Sequence, residues 1–309
     1  MERVGRSAAY GWVVGPAPRP EAEHPIDEAL VSALVADQHP DVLGALRRVP
    51  GGWDNEVFRL GDDLAVRLPR RALGARLLAG ELRWLPVLAP RLPLAVPVPV
   101  RVGKPGLGYP WRWAIVRWIE GESLLSTTEP VDQIGLGAAL GRFLAAIHGE
   151  APDDAPRNAF RGVPLVDRID RFADHLRSLP DDVDRAAVEA AWATALDEVS
   201  WAGPAVWIHG DLHPGNLVVR RGRLVGVVDF GDLTAGDPAT DLAVAWMCLA
   251  PGERASLRGR LGVEAATWGR ARGWALAHAV AVLAHSADDP AMASMARRTL
   301  AAALADPLS

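Results

Sequence analysis

Asp211, Asn216 and Asp229 stand in one stretch, Trp207 to Asp241, reading WIHGDLHPGNLVVRRGRLVGVVDFGDLTAGDPATD. An apolar run, Ala205 to Ile208, leads into His209-Gly210-Asp211, and Asn216 comes five positions after Asp211, where a short turn would bring both polar side chains to one point. Leu217 to Val219 reads as a strand, Arg221-Gly222-Arg223 as its turn, and Leu224 to Val228 as the returning strand that delivers Asp229 before Phe230-Gly231. Two carboxylates and an amide oxygen around one hairpin are hard oxygen ligands or proton acceptors. They suit a site in which Mg²⁺ holds a nucleotide's phosphates while a carboxylate receives the proton of an attacking hydroxyl. A second chemistry starts from His209, Asp211 and His213, alternate positions of one extended segment that could share a face as a metal-hydrolase cluster. Zinc sites want a third or fourth ligand with its own spacing, and no His-rich partner stands elsewhere, so both histidines read as hydrogen-bonded loop residues.

The joint pattern of HGD, Asn five positions on, a strand hairpin and Asp-Phe-Gly resembles the catalytic core of the aminoglycoside phosphotransferase family, small-molecule kinases of the protein-kinase-like fold. That family writes its catalytic loop H-G-D-x-x-x-x-N and its metal motif D-x-x, where protein kinases write H-R-D and D-F-G. The resemblance implies Asp211 as catalytic base and Asn216 and Asp229 as Mg²⁺ ligands, with ATP as phosphoryl donor and GTP as its alternative. Asp237-Pro238 and Asp241, in GDPATDLA, match a family segment that supports the catalytic loop from beneath. The implied fold is α+β and two-lobed: a small lobe with an antiparallel sheet, residues 1–119 including a leading arm and helix, and a large, mostly helical lobe, residues 120–309.

Such a core needs a nucleotide platform ahead of it. Pro25-Ile26-Asp27 opens an apolar-periodic helix through Leu30, Leu34 and Val35. Pro50 to Leu60 holds a glycine-containing turn between strands, where backbone N–H groups can approach phosphate, and the resemblance puts Gly51, Gly52, Asp54 and Asn55 on the phosphate side. Leu64 to Pro69 is the strand on which the family carries a phosphate-gripping Lys. This chain, whose only lysine is Lys104, has Arg67 there; Arg keeps the charge but is longer and planar. Residues 70–88 read as a helix. Glu81 is its candidate partner for Arg67, the other reading being a solvated Glu on an amphipathic face. Pro90 to Pro99 must run extended. Trp111 to Glu122 is a strand leading to an interlobe hinge, where by resemblance the backbone of Trp118, Ile119 and Glu120 would bind the purine. Trp113 or Trp118 could stack on adenine, although an aromatic on a buried strand is more often core.

Helices are expected over Asp132–His148, from Asp167, over residues 185–199, Asp241–Leu249, Arg254–Leu261, Glu264–His285 and Ala291–Ala305. In the family, helices inserted near Asp167 wall the acceptor pocket. Asp167, Asp170 and Asp174 could meet a cationic acceptor, while the interspersed Arg168, Arg171 and Arg177 favour a salt-bridged, solvated face. Trp268, Arg272, Trp274 and His278 lie near the expected pocket rim at a spacing that equally suits helix packing. With 309 residues, 50% hydrophobic, the chain can bury a large core, and its net charge of −5 argues against a nucleic-acid partner. Residues 1–119 carry +4 and residues 120–309 carry −9, so the small lobe would favour phosphates and the large lobe a cationic acceptor.

The single cysteine, Cys248, and the lack of any run like a signal peptide or membrane span suggest a cytoplasmic protein with no membrane partner, a monomer or homodimer. The expected acceptor is a hydroxyl of a small molecule, first an aminoglycoside-type antibiotic, then a macrolide, choline, homoserine or a sugar. A non-catalytic nucleotide-binding pseudokinase is the non-enzyme alternative, and Arg67 is the one feature in its favour.

Overall fold

Asp27 starts the first helix by accepting a hydrogen bond from Leu30 N at 2.8 Å, and helix α1 (Glu28–Gln38) buries Val31, Leu34 and Val35. The computed structural model describes residues 21–42, 44–49, 54–285 and 289–306; the phosphate-side candidates Gly51 and Gly52 lie outside them. Five antiparallel strands follow the helix: β1 (Leu46–Val49), β2 (Asn55–Leu60), β3 (Leu64–Pro69), β4 (Pro99–Gly103) and β5 (Trp113–Arg117), in the order β1-β2-β3-β5-β4. Side chains alternate across a strand. Val66 and Leu68 join the cluster formed with α1 on one face, and Ala65 belongs to a second cluster on the other. Arg67 shares the face of Ala65, opposite Val57 and Ala114 in the register.

Helix α2 (Ala72–Leu88) packs across that second face, with Leu78, Glu81, Leu85 and Leu88 buried at helical spacing. Glu81 thus occupies a core position of an apolar stripe, which rules out the solvated reading. Trp113 is fully buried, donates Nε1–H to Lys104 O at 3.2 Å and meets His39 edge to face, so it is core rather than an adenine platform.

The large lobe begins with β6 (Glu122–Ser123) and α3 (Gln133–Ile147), the latter capped by Asp132. A 3₁₀ turn over Leu165–Arg168 precedes α4 (Ile169–Arg177) and α5 (Arg185–Leu196). Strands β7 (Val206–Ile208), β8 (Leu217–Arg220), β9 (Arg223–Val227) and β10 (Thr234–Gly236) make two small sheets, β6-β8-β9 and β7-β10. The chain ends in α6 (Ala239–Leu242), α7 (Val244–Cys248), α8 (Pro251–Leu261), α9 (Ala265–His285) and α10 (Pro290–Ala305). The single helix expected over Asp241–Leu249 is therefore two short ones that begin at Ala239. Helix α9 is buried along almost its whole length and carries the large core. No helix among the described residues is long and apolar enough to cross a membrane.

Candidate active site

Strand β7 is buried at all three positions, and the chain leaves it at His209. Gly210 turns the backbone at φ +85°, where an added Cβ would lie 2.4 Å from Asp232 O, so the position requires glycine. Asp241, fully buried, holds this turn from beneath: its carboxylate accepts from His209 N at 2.8 Å, Gly210 N at 2.9 Å and His148 Nε2 at 3.2 Å. Burial alone would raise the Asp241 pKa, but the His148 hydrogen bond and the neighbouring imidazoles and N–H groups outweigh it and hold the carboxyl below its ordinary range.

A group whose pKa is depressed by folding adds stability above its unfolded pKa and loses it as pH falls through the folded one. Asp241→Ala is accordingly expected to cost about 3 kcal/mol at neutral pH, because two backbone donors lose a buried charged acceptor. Urea unfolding checks this, and the gap from wild type should shrink below about pH 4. Equal stability at neutral pH would contradict the clamp.

His209 uses both ring nitrogens. Nδ1 accepts from Asp211 N at 3.3 Å and Nε2 donates to Val228 O at 3.0 Å, with the ring against Phe230. That removes it from any hydrolase-type metal cluster. Asp211, beyond it, is partly exposed; its Oδ1 lies 3.2 Å from Arg161 Nη2 and its Oδ2 3.7 Å from His213 Nε2. Burial lowers the pKa of His213 against the opposing charge of Asp211 and Asp229.

A 3₁₀ turn over Pro214–Asn216 brings Asn216 back, and its Nδ2 donates to Asp211 O at 2.9 Å. The amide's donor is thereby engaged and its oxygen is left over. Val228 N donates to Asn216 O at 3.0 Å, which ties this loop to the end of β9. Asp229 follows at φ +65° and ψ +67°, a left-handed conformation unfavourable for a residue with a Cβ. Its carboxylate is exposed and makes no hydrogen bond or ion pair among the described residues.

A cleft of about 390 Å³ opens over these groups. Asn216 and Asp229 line it on one side, and Asp54, Asn55, Arg67, Trp118 and Ile119 on the other. Arg67 reaches into it from β3 and pairs with Glu81 of α2; Arg67 is 8% exposed and Glu81 1%. Burial opposes the charge on Arg67, but Glu81 and Asp229 outweigh it and raise its pKa, whereas burial dominates at Glu81 and raises that carboxyl despite Arg67.

The Asp54 pKa is raised by burial and then by the charges of Asp229 and Asp211, against an ion pair with Arg71 at 2.9 Å. Asp232 is raised by burial and by Asp211 and Asp229, against Arg161 and the hydrogen bond from Asn158 Nδ2 at 2.8 Å. Of these carboxylates Asp54 and Asp229 line the cleft, and two neighbouring negative charges there suit a divalent cation. Among the described residues no three His, Cys, Asp or Glu side chains converge on a metal position. The Asn216 amide oxygen and the Asp229 carboxylate, neither of them hydrogen-bonded among the described residues, are hard oxygen donors of the kind a divalent cation takes.

At the hinge, Trp118 and Ile119 line the cleft but the Glu120 side chain does not. Its carboxylate turns to the surface, accepting from Arg59 Nη2 at 3.0 Å and Trp118 Nε1 at 2.9 Å. Arg59 covers the Trp118 ring at 4.9 Å, so that indole is held by its own neighbours. Asp167 and Asp170 are exposed and Asp174 pairs with Arg177, as on a solvated face, but Arg168 is buried with no carboxylate partner among the described residues, so the expected salt-bridged face does not extend to it.

The expected rim of four residues divides. His278 meets His213 at 5.8 Å, with Trp274 one turn before it, whereas Trp268 and Arg272 line a separate cavity with Trp246 and Arg258. Sequence reasoning passed over Arg161 and Asp232. Asp232 could have been noticed beside Asp-Phe-Gly, but Arg161 lies in an irregular loop with no pattern to mark it.

The model of a phosphotransferase enzyme family matches residues 45–274. The aminoglycoside 3'-phosphotransferase of Salmonella typhimurium is 28% identical over 142 residues, covering 44% of this chain and 52% of that protein. The chain thus spans about half the length of the curated relatives it matches. Among solved structures, the GDP complex of wild-type aminoglycoside 2'-phosphotransferase-IIIa superposes with a TM-score of 0.65 at 17% identity, over 90% of this chain and 99% of that one. The macrolide 2'-phosphotransferase MphH from Brachybacterium faecium gives 0.59 at 22% identity, over 92% and 99%. At these identities the structural likeness speaks to the fold, a two-lobed kinase-like one.

Proposed function

This chain belongs to the phosphotransferase enzyme family, and we propose that it moves the γ-phosphoryl group of ATP, or of GTP, to a hydroxyl of a small molecule. The observation that carries the reading is the hydrogen bond from Asn216 Nδ2 to Asp211 O. It ties the backbone that carries the Asp211 carboxylate to Asn216, which lines the same cleft as the Arg67 cation.

In this mechanism Arg67, aimed by Glu81, neutralises the non-transferred phosphates, and Trp118 and Ile119 border the base. Asn216 and Asp229 would hold Mg²⁺, which supplies charge neutralisation at the phosphates when bound. Asp211 aligns the acceptor hydroxyl and receives its proton as the oxygen bonds to the γ-phosphorus. The bond from that phosphorus to the bridging oxygen breaks in line, and the nucleoside diphosphate leaves with the electron pair. Most of the rate comes from positioning and charge neutralisation, since the protein forms no covalent bond to the phosphoryl group.

The relatives' names put aminoglycosides first among acceptors to assay, with macrolides and homoserine after them, and choline and sugars complete the panel. A cytoplasmic protein, monomeric or homodimeric, remains the proposed setting. Purified protein with Mg²⁺-ATP is to be tested against that panel for ADP release and for a product heavier by one phosphoryl group. Chelation of the metal with EDTA is expected to stop both signals. ATP binding with neither transfer nor slow hydrolysis in water would favour the pseudokinase alternative instead.

A further inference from the structure

The net charge of the large lobe is negative, yet three guanidinium groups gather behind Asp211, with Asp232 3.7 Å from the first, Arg161, and Asp174 near the third, Arg171. Arg161 Nη2 is 3.2 Å from Asp211 Oδ1. Two more guanidinium groups follow it in the chain: Arg168 closes the 3₁₀ turn, and Arg171 lies in the first turn of α4. Both lie over the Phe160 ring, at 5.5 and 4.9 Å, and Arg168 also lies 5.8 Å from the Trp274 ring.

Arg168 is only 4% exposed. Among the described residues it has no carboxylate partner, and its Nε is buried without a hydrogen bond. Burial, and then the charges of Arg161 and Arg171, lower its pKa to about 10. Trp274, 2% exposed, carries a buried Nε1–H that likewise donates to nothing. Ring faces attract a guanidinium but offer no acceptor to its in-plane N–H groups, and a buried donor without an acceptor is costly. Two such donors beside neighbouring arginines call for oxygen atoms bearing negative charge.

The region is continuous with the proposed base. One helical turn after Trp274, His278 meets His213 at 5.8 Å, and His213 Nε2 is 3.7 Å from Asp211 Oδ2. Arg161 closes the circuit from the other side.

We propose that the acceptor carries an anionic oxygen group, a carboxylate or a phosphate, besides its hydroxyl, and that Arg168 and Trp274 Nε1, flanked by Arg161 and Arg171, bind that group. The inference rests on the phosphotransferase reading of Asp211 and narrows its acceptor class. A planar guanidinium matches either oxyanion through paired N–H donors, while a polycationic acceptor would meet like charge here.

The test uses matched acceptors with the wild-type protein and Mg²⁺-ATP: glycerate and glycerol 3-phosphate as the two anionic arms, glycerol as the neutral match, and kanamycin as the cation. ADP release and product mass are read for each. Phosphoryl transfer, or a saturable change in the slow hydrolysis of ATP, is expected with at least one anionic compound and not with glycerol at equal concentration. The arm that responds distinguishes carboxylate from phosphate. Arg168→Met should raise KM for that compound about tenfold to a hundredfold, with a smaller change in kcat, and Arg168→Lys should recover part of the loss. Transfer to kanamycin or glycerol as fast as to the anions would overturn the proposal, as would no saturable effect of either anion. Loss of ATP hydrolysis as such, in wild type with no acceptor present, would instead count against the phosphotransferase reading beneath it.

Discussion

Asp211→Asn is expected to lower phosphoryl transfer by about 10³-fold while leaving nucleotide affinity within about a factor of two. Asparagine keeps the size of the side chain and an oxygen that can still accept from Arg161, whose Nη2 sits 3.2 Å from Asp211 Oδ1. It cannot take up the hydroxyl proton. Asp211→Ala should be as inactive, but it also strips buried Arg161 of one of its two nearby carboxylates and leaves Asp232 at 3.7 Å. Some loss of stability is therefore expected with alanine and little with asparagine. The check is single-turnover transfer at saturating nucleotide beside calorimetric titration of Mg²⁺-ADP. Near-wild-type turnover in Asp211→Asn would remove the residue from its role, whereas equal loss of turnover and of nucleotide binding would point to damage in the cleft.

The second large effect is on stability as well as activity. Arg67→Met leaves Glu81, 1% exposed, without its buried counter-charge, and breaking such a pair from one side costs about 3–5 kcal/mol. Replacing both partners by apolar residues removes the uncompensated charge, so Arg67→Met with Glu81→Leu should regain most of that loss. Turnover should stay low in both variants, because the phosphate-facing cation is gone. Denaturant midpoints and nucleotide titrations on the two single variants and the double variant separate the effects. If the double variant is no more stable than Arg67→Met alone, the ion pair does not bear the load assigned to it here.

The pairing of Arg67 with Glu81 was half legible in the sequence. The alternation of β3 and the spacing of Leu78, Glu81, Leu85 and Leu88 put both residues on inward faces, but nothing local says that the two faces meet. Only the packing of α2 on the sheet decides that. Asp211, Asn216 and Asp229 were more legible because they lie within one hairpin, where turn and strand geometry leaves few ways to arrange them. The expectation at Glu120 concerns its backbone; where its carboxylate goes, to Arg59, a residue 61 positions away, is a long-range choice that leaves no local trace. The short helices α6 and α7 were read as one because hydropathy is continuous through Ala243, while Asp237 and Asp241 are drawn to separate partners, Arg270 and the turn at His209.

From the residues alone came the order of the elements, the hairpin with its three oxygen-bearing side chains and the kinase-like resemblance, since each depends on neighbours close in sequence. The character of the ground behind Asp211 came only from the tertiary structure. Summed along the chain, residues 120–309 are acidic at −9, but the field at a point falls with distance and with the water between charges. Much of that acidity sits on solvated faces such as that of Asp174 and Arg177, whereas folding gathers Arg161, Arg168 and Arg171 near one another behind Asp211, with Asp232 beside Arg161.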